Sequence, residues 1–363
     1  MEHERGSIRT ERNGRKLVDY ANTSPAGGFG PLSASLALLG LISYLAFATP
    51  ALAVEPSATS DVARQSLDDA WWTGPIVAAG AGTMPQGHVL VEPYVYDVIR
   101  QDRFDTNGDR QAVPRSDGFG SLTYILYGVT DRFTAGLIPT FGYTDASEGS
   151  DSSGVQTGDV TLQGQYRLSK FREGSHVPTV SLVLQETLPT GKYDELGAHP
   201  NDGFGSGAYT TTIALYSQYY FWMPNGRILR TRFNVSQAFS NTVDVEGVSV
   251  YGTGDGFRGE ARPGDVFTAN SSWEYSITRN WVFALDFVYQ HDASTSVTGS
   301  DATNGISEPV NVDSGSAWRF GVAPAVEYNF NSRIGVLAGA RWFSAGKNTS
   351  ATVTPVMAVN MVF

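Results

Sequence analysis

The sequence contains no cysteine, only 5 histidines, and fewer basic residues (25) than acidic residues (36), so its formal net charge is -11. The absence of cysteine excludes disulfides, thiolate metal sites and a cysteine nucleophile. Nucleic-acid binding requires a basic surface, so the charge balance argues against a nucleic-acid partner.

Long apolar runs are also scarce, and the one that is present occupies residues 31–53. It ends in Ala51-Leu52-Ala53, a pattern of small residues typical of signal-peptidase cleavage sites. We therefore predict that residues 1–53 are a signal peptide with a long n-region, which an upstream start codon would explain. The alternative is a transmembrane helical anchor, since about 20 apolar residues suffice to span a bilayer.

The rest of the chain is rich in glycine (40), tyrosine (17) and tryptophan (7), and alternates between apolar and polar residues. Runs of this kind are long enough for tilted membrane strands, which need about 9 to 11 residues. The twelve runs are 87–98, 119–129, 132–143, 158–169, 177–188, 207–221, 227–239, 265–277, 280–291, 316–329, 333–344 and 351–363. They predict an all-β protein, a transmembrane antiparallel up-and-down β-barrel of 12 strands over residues 87–363.

The connections between these runs alternate between short and long, as periplasmic turns and extracellular loops do in outer-membrane barrels. The longer ones, predicted to be irregular loops, are 99–118, 144–157, 189–206, 240–264, 292–315 and 345–350. This alternation places both barrel termini on the periplasmic side. Phe363 ends the last alternating strand, which is the signal that the outer-membrane assembly machinery recognises. The predicted location is the outer membrane of a Gram-negative cell, among its lipid and lipopolysaccharide.

Parity along each strand assigns the two faces of the barrel wall. In the run 280–291, Trp281, Phe283 and Leu285 share one face, which should meet lipid. An arginine facing lipid at mid-depth costs about 2 to 4 kcal/mol, so the charged strand residues should face the lumen. The predicted lumen-lining residues are Glu92, Asp159, Arg167, Arg230, Arg232, Glu274, Asp286, Arg319, Glu327 and Arg341. Glu186 has outward parity, and we expect it at the outer rim beside a bulge before Pro189.

Five acids and five arginines inside one barrel suggest that the charges pair with one another. Alternatively, some of them line a solute path. Arg230 and Arg232 are the strongest candidates for that role, because they are successive inward positions with no acid between them on that face.

No constellation predicts an enzyme, a metal site or a cofactor. His291 lies where a barrel phospholipase would carry its histidine, but the next residue on that face is Ala293, and Ser294 has the other parity. Residues 105–109 resemble the start of a calcium loop, but the glycine is misplaced, and a solvated turn is expected instead.

The outer loops are acidic and would repel anions, or bind a partner or divalent ions beside lipopolysaccharide. Their acids are Asp145, Glu148, Asp151, Asp194, Glu195, Asp202, Asp244, Glu246, Asp255, Glu260, Asp301, Glu308 and Asp313. Residues 54–86 form a periplasmic N-terminal segment that contains Trp71-Trp72. It either enters the periplasmic mouth of the barrel as a plug or rests its tryptophans at the membrane interface.

Three short motifs carry a family resemblance. They are Tyr127-Gly128-Val129-Thr130-Asp131-Arg132-Phe133, Thr157-Gly158-Asp159-Val160 and Leu188-Pro189-Thr190-Gly191-Lys192. Together they resemble the outer-membrane family labelled "meta-pathway of phenol degradation", whose members are called transporters. The resemblance implies a porin-like channel for passive uptake of small, hydrophobic or aromatic solutes. The alternative is a non-transporting structural or adhesive barrel whose acidic loops bind a partner or calcium.

Overall fold

A computed structural model describes residues 63–302 and 307–363 of the chain. The predicted signal peptide and the first part of the N-terminal segment, up to residue 62, lie outside this description. Two short 3-10 helices, Leu67–Asp69 and Pro200–Asp202, accompany a structure that otherwise consists of β-strands. Across the described ranges, no helix is both long and apolar enough to span a bilayer.

Twelve antiparallel strands form the wall of a closed barrel, as the sequence predicts. They are β1 (Val89–Phe104), β2 (Arg110–Thr130), β3 (Phe133–Ile138) continued by β4 (Thr140–Ala146), β6 (Val160–Ser169), β7 (Thr179–Leu188), β8 (Thr210–Trp222), β9 (Ile228–Ser240), β12 (Val266–Ser276), β13 (Trp281–Asp292), β16 (Ala317–Asn329), β17 (Ile334–Lys347) and β18 (Thr349–Val362). The remaining strands are β5 (Gln156–Thr157), β10 (Val243–Glu246), β11 (Phe257–Arg262), β14 (Ser296–Asp301) and β15 (Glu308–Asp313). Strands β9 and β12 lie side by side and complete the ring.

The last strand closes the barrel against the first. Val89 and Phe363 exchange two backbone hydrogen bonds, of 3.1 and 2.8 Å. The pairing continues along the wall, with Tyr94 opposite Ala358. The predicted position of the carboxyl terminus beside the first strand is therefore confirmed.

Exposure alternates along the strands in the predicted sense. On β13, Trp281 and Phe283 are 46% and 41% exposed, whereas Val282 and Ala284 between them are fully buried. The exposed aromatic face is the one that meets lipid, so the parity argument for this strand is confirmed.

The prediction of an irregular loop over residues 99–118 is wrong. Strands β1 and β2 continue beyond the predicted membrane span and are joined by a tight turn at residues 105–109. There the Asp105 carboxylate accepts the backbone N–H groups of Asn107 and Asp109 at 2.8 and 3.0 Å. These hydrogen bonds hold the pKa of Asp105 below its usual value. A strand that stands in water carries no apolar alternation, so its pattern resembles a loop.

The predicted loops 240–264 and 292–315 also contain regular structure. Strands β10, β11, β14 and β15 pair in that order to form a separate four-stranded antiparallel sheet. Its core includes Val245, Phe257 and Val297, all less than 9% exposed. Each loop alone lacks enough alternating residues to indicate a strand, and only their pairing buries the apolar ones.

Glu186 keeps its outward parity without a bulge. Its Oε2 atom accepts a hydrogen bond of 2.6 Å from the Thr211 hydroxyl on the neighbouring strand. The pairing of β7 with both neighbours runs in unbroken register from residue 181 to Thr187. The expected bulge before Pro189 is therefore wrong, and a side-chain hydrogen bond accommodates the charge instead.

Candidate functional site

The N-terminal residues 63–88, here called the inner segment, run through the lumen of the barrel. The segment begins beside a periplasmic turn, where the Trp222 ring N–H donates to the Gln65 carbonyl at 2.8 Å. It crosses the lumen and returns to the wall where Gly87 N–H donates to the Gly128 carbonyl at 2.8 Å. Between these points it has little regular structure, so its backbone polar groups must find partners on the wall.

Two buried acids bind backbone amides of the inner segment. Glu327 Oε2 accepts the N–H groups of Thr73 and Gly74 at 2.7 and 3.0 Å. The two carboxylate oxygens of Asp286 accept the N–H groups of Val77 and Ala78 at 3.2 and 3.3 Å. Both acids are fully buried. These carboxylates therefore satisfy donors that no arginine could satisfy.

The opposite wall binds the carbonyl groups of the segment. The Gln165 side-chain amide donates to the carbonyls of Gly80 and Gly82 at 3.1 and 3.0 Å. The Ser181 hydroxyl donates to the Ala81 carbonyl at 2.6 Å. The segment is thus held between a wall of acceptors and a wall of donors.

Arg230 and Arg232 share one acid on the neighbouring strand. Glu274, on β12, is fully buried and binds the Arg230 guanidinium in a bidentate ion pair, with Nε 2.7 Å from Oε2. Arg232 Nη2 lies 3.2 Å from Glu274 Oε1, and its Nη1 donates to the Ala78 carbonyl at 2.7 Å. The Arg230 guanidinium also lies 4.3 Å from the centre of the Trp72 ring. The prediction that Arg230 and Arg232 are the strongest exceptions to charge pairing is wrong, because both bind an acid that lies across the β9–β12 seam and not on their own strand.

Two further predicted lumen residues lie near the periplasmic end of the barrel. Arg167 Nη1 donates to the Thr83 hydroxyl at 2.8 Å. Glu92 accepts a hydrogen bond of 3.2 Å from the Asn360 side chain. Neither forms an ion pair within residues 63–302 and 307–363.

Asp159 holds an outer loop against the wall. Its carboxylate accepts the N–H of Gly191 at 3.0 Å and both the N–H and the hydroxyl of Ser206 at 2.8 Å. The same loop places the Phe204 ring against Gly142, where an added Cβ would lie 2.0 Å from the ring. Residues 189–209 therefore reach the inner face of the wall from the extracellular side.

Two of the motifs that carry the family resemblance meet at this point. Thr190 donates its hydroxyl to the Gly158 carbonyl at 3.0 Å and accepts the Val160 N–H at 3.0 Å. Gly191 packs against Gly158 so closely that an added Cβ would lie 3.0 Å from its carbonyl carbon. The motifs are distant in the sequence and form one structural joint, which the sequence alone did not indicate.

The remaining two arginines lie in the outer half of the lumen. Arg319 Nη2 donates to the Gln290 side-chain carbonyl at 2.9 Å. The guanidinium groups of Arg319 and Arg341 lie 4.4 and 5.1 Å from the centre of the Phe343 ring. The Arg341 Nε is buried and has no hydrogen-bond partner among the described residues.

The prediction that the ten charges pair with one another is therefore largely wrong. In the described part of the chain, the only ion pairs within this set join Glu274 to Arg230 and Arg232. Glu327 and Asp286 bind the inner segment instead, because it supplies backbone donors inside the barrel. That any of the ten lines a solute path stays a prediction.

One side of the lumen is apolar. A buried cluster extends over the inward faces of β13, β16, β17, β18 and β1. Its members are Tyr94, Ala284, Ala325, Leu337, Val356 and Ala358. Ile76 of the inner segment packs against this cluster together with Leu122 and Tyr124 of β2. The sequence analysis missed this apolar wall, because it followed the charged inward residues alone.

A cavity of about 470 Å³ lies between the periplasmic half of the inner segment and the wall. Its lining includes Thr83, Arg167, Phe171, Gln218 and Tyr220. Polar and aromatic groups thus border this cavity.

His291, Ser294 and the acids of the outer loops are the residues that the sequence analysis considered for catalysis and metal binding. Ser294 donates its hydroxyl to Asp313. Within the described ranges, no group of three or more histidine, aspartate or glutamate side chains has the spacing of a metal site.

Comparison with one solved structure supports the architecture. An outer membrane channel from Pseudomonas putida F1 is 13% identical, with a TM-score of 0.61 over 79% of this chain and 100% of that one. A mutant of the TodX monoaromatic hydrocarbon channel is 12% identical, with a TM-score of 0.40 over 83% of this chain and 98% of that one. The β-domain of the Bordetella autotransporter BrkA is 10% identical, with a TM-score of 0.42 over 77% and 100% of the two chains. No curated protein sequence matches significantly.

The closed barrel and its lipid-facing aromatic residues identify an outer-membrane protein, and the Pseudomonas channel has a similar fold. The family model described as "MetA-pathway of phenol degradation" matches residues 101–354, which is more than half of the chain. The chain therefore belongs to this family of outer-membrane β-barrels.

Proposed function

We propose that the protein is a channel for passive uptake of small, hydrophobic or aromatic solutes, and that the inner segment is its gate. The observation that carries this proposal is the apolar wall formed by β13, β16, β17, β18, β1 and β2, with Ile76 packed against it. If the segment moves, this wall becomes an apolar surface inside an otherwise polar lumen. Such a surface favours apolar solutes, because burial of their surface is worth about 25 cal/mol per Å².

The bonds that hold the inner segment suit a gate. Hydrogen bonds to Glu327, Asp286, Gln165 and Ser181 hold it across the lumen. Each such bond contributes only about 0.5 to 1.5 kcal/mol net, or about 1.5 to 3 kcal/mol when one partner is charged, since water replaces the partner on release. Displacement of the segment exchanges these bonds for bonds to water and leaves the strand pairing of the barrel wall intact.

A structural or adhesive barrel is the second candidate. The separate sheet of β10, β11, β14 and β15 favours it, since β15 is an edge strand with exposed Glu308 and Asp313. An exposed edge can pair with a strand of a partner protein. Solute flux through the purified protein distinguishes the two candidates, because an adhesive barrel needs no opening.

The test of the channel uses two cysteines in a chain that has none of its own. The Thr73 hydroxyl lies 3.1 Å from the Asn329 side-chain oxygen, one on the inner segment and the other on β16. We expect Thr73→Cys combined with Asn329→Cys to form a disulfide on oxidation and to lock the segment in place. The measurement is the entry of benzyl alcohol into liposomes that contain the folded full-length protein.

In reducing buffer the double variant should admit the solute as the wild type does, and oxidation should reduce its flux to the level of protein-free liposomes. Each single-cysteine variant is the control and should not respond to oxidation. No flux through the wild type would refute the channel and favour the adhesive barrel. Unchanged flux through the locked variant would refute the gate.

A further inference from the structure

Arg319 and Arg341 place two positive charges on one aromatic ring. Their guanidinium groups lie 4.4 and 5.1 Å from the centre of the Phe343 ring, which is itself 1% exposed. The three residues come from adjacent strands β16 and β17 and lie toward the outer half of the lumen, away from the periplasmic turns. Both arginines are partly exposed, so a solute in the lumen has access to them.

Neither of these two charges forms an ion pair in the described part of the chain. Arg319 donates to a neutral acceptor, Gln290, whose own amide group binds the Asp292 carboxylate at 2.7 Å. Gln290 therefore lies between the Asp292 carboxylate and the Arg319 guanidinium. Asp286 acts on Arg341 electrostatically, but its carboxylate is bonded to the backbone of the inner segment.

Two buried polar atoms, one on Arg341 and one on its neighbour Thr354, have no hydrogen-bond partner among the described residues. One is Arg341 Nε and the other is the hydroxyl oxygen of Thr354, which is 1% exposed. Thr354 lies directly opposite Arg341 on β18, so the two side chains emerge on the same inward face. Unpartnered buried donors are rare, because each costs about 1 to 3 kcal/mol. An acceptor bound between them would remove that cost.

We propose that Arg319, Arg341 and Thr354 form a subsite for the carboxylate of a small aromatic acid. The guanidinium fork matches the two oxygens of a carboxylate, and a nearby hydroxyl supplies a further donor. The two arginines carry more positive charge than one carboxylate, and the two acids nearest to them, Asp286 and Asp292, are already hydrogen-bonded to other groups. The inference rests on the proposed channel function, and it names the class of solute that the channel selects.

The acidic outer loops do not contradict this choice. The loops lower the local concentration of anions at the mouth of the barrel. The two arginines then bind those anions that pass the loops and enter the lumen. A charged subsite inside a narrow barrel therefore acts as a filter, and the apolar wall accommodates the ring of the same solute.

The experiment compares benzoate with benzyl alcohol, which has a similar shape and no charge. Flux of each is measured in proteoliposomes that contain the folded, full-length wild type, Arg341→Gln, Arg319→Gln or Thr354→Val. We expect benzoate flux at low concentration to fall about tenfold in each arginine variant, the loss expected when a charged hydrogen bond is removed. Thr354→Val should cause a smaller loss, and benzyl alcohol flux should stay unchanged in all three.

Arg333→Gln is the matched control, because it removes one positive charge from an exposed periplasmic turn. It should leave both fluxes unchanged. Thr354→Val preserves side-chain shape and keeps the test decisive if an arginine variant fails to fold.

Failure of the subsite and failure of the channel give different results. If benzyl alcohol crosses the wild-type barrel but benzoate is no more affected by Arg341→Gln than by Arg333→Gln, the subsite is refuted and the channel stands. If neither solute crosses the wild-type barrel, the channel itself is refuted, and the subsite with it.

Discussion

Neutralising the two acids that bind the inner segment should open the barrel. The double variant Asp286→Asn with Glu327→Gln keeps the size of each side chain and removes both negative charges. In the wild type, these acids accept four backbone N–H groups of the segment at 2.7 to 3.3 Å. The acceptor of each bond then changes from a charged to a neutral group. At position 286 both carboxylate oxygens accept a backbone N–H, so the amide N–H₂ group of the new asparagine replaces one acceptor with a donor.

The magnitude follows from the number of bonds. A hydrogen bond to a charged group contributes about 1.5 to 3 kcal/mol and a neutral one about 0.5 to 1.5 kcal/mol, so each loses about 1 kcal/mol. Four such losses give about 4 kcal/mol, if the two sites are independent. Because about 1.4 kcal/mol is a factor of ten, the equilibrium between the bound and displaced segment should shift by between about two and three orders of magnitude.

The assay is single-channel recording in planar bilayers, with limited proteolysis of the inner segment as a second readout. We expect a large rise in the open fraction and faster cleavage between residues 63 and 88. The control, Glu308→Gln with Asp255→Asn, removes two exposed acids outside the lumen. Its open fraction should equal that of the wild type. An unchanged open fraction together with unchanged cleavage in the lumen variant would show that these bonds do not hold the segment.

Two further predictions concern stability. Glu274→Gln leaves two buried arginines without a counter-ion and should destabilise the barrel by about 3 to 5 kcal/mol. The measurement is the urea concentration at which half of the protein is unfolded, read from the faster-migrating folded band in gel electrophoresis without heating. A midpoint equal to that of the wild type would contradict the stabilising role of the buried ion pair. The lowered pKa of Asp105 means that its contribution to the β1–β2 turn is present above about pH 4 and is lost as the pH falls through that lowered value. Hydrogen exchange at the Asn107 amide should accelerate only in that acidic range, and Asp105→Asn should remove the dependence; acceleration near neutral pH would refute it.

Regular patterns made the barrel predictable from the sequence. The alternation of Trp281 and Phe283 with Val282 and Ala284 identifies the lipid face without any knowledge of a neighbouring strand. The position of Phe363 and the alternating connection lengths follow from local features in the same way. Where these cues are absent, as in the aqueous part of β1 and β2, the prediction fails.

The contents of the lumen were not predictable in this way. Arg230 and Arg232 have no acid on their own strand face, yet Glu274 reaches both across the β9–β12 seam. The same holds for Thr354 and Arg341, which meet only through strand pairing. Side-chain partners inside a barrel depend on register and on the inner segment, and neither is encoded in a local period.

The sequence by itself determined the architecture, the compartment and the sign of each face, because a membrane strand must repeat every two residues to satisfy lipid on one side and water on the other. Only the tertiary structure decided what fills the interior. It placed the inner segment between acids and amides and gave one wall an apolar surface under Ile76. It also left Arg341 with a buried donor that has no partner among the described residues. The physical reason is that every outward residue contacts the same apolar lipid, whereas each inward residue contacts a different set of neighbouring side chains and backbone groups.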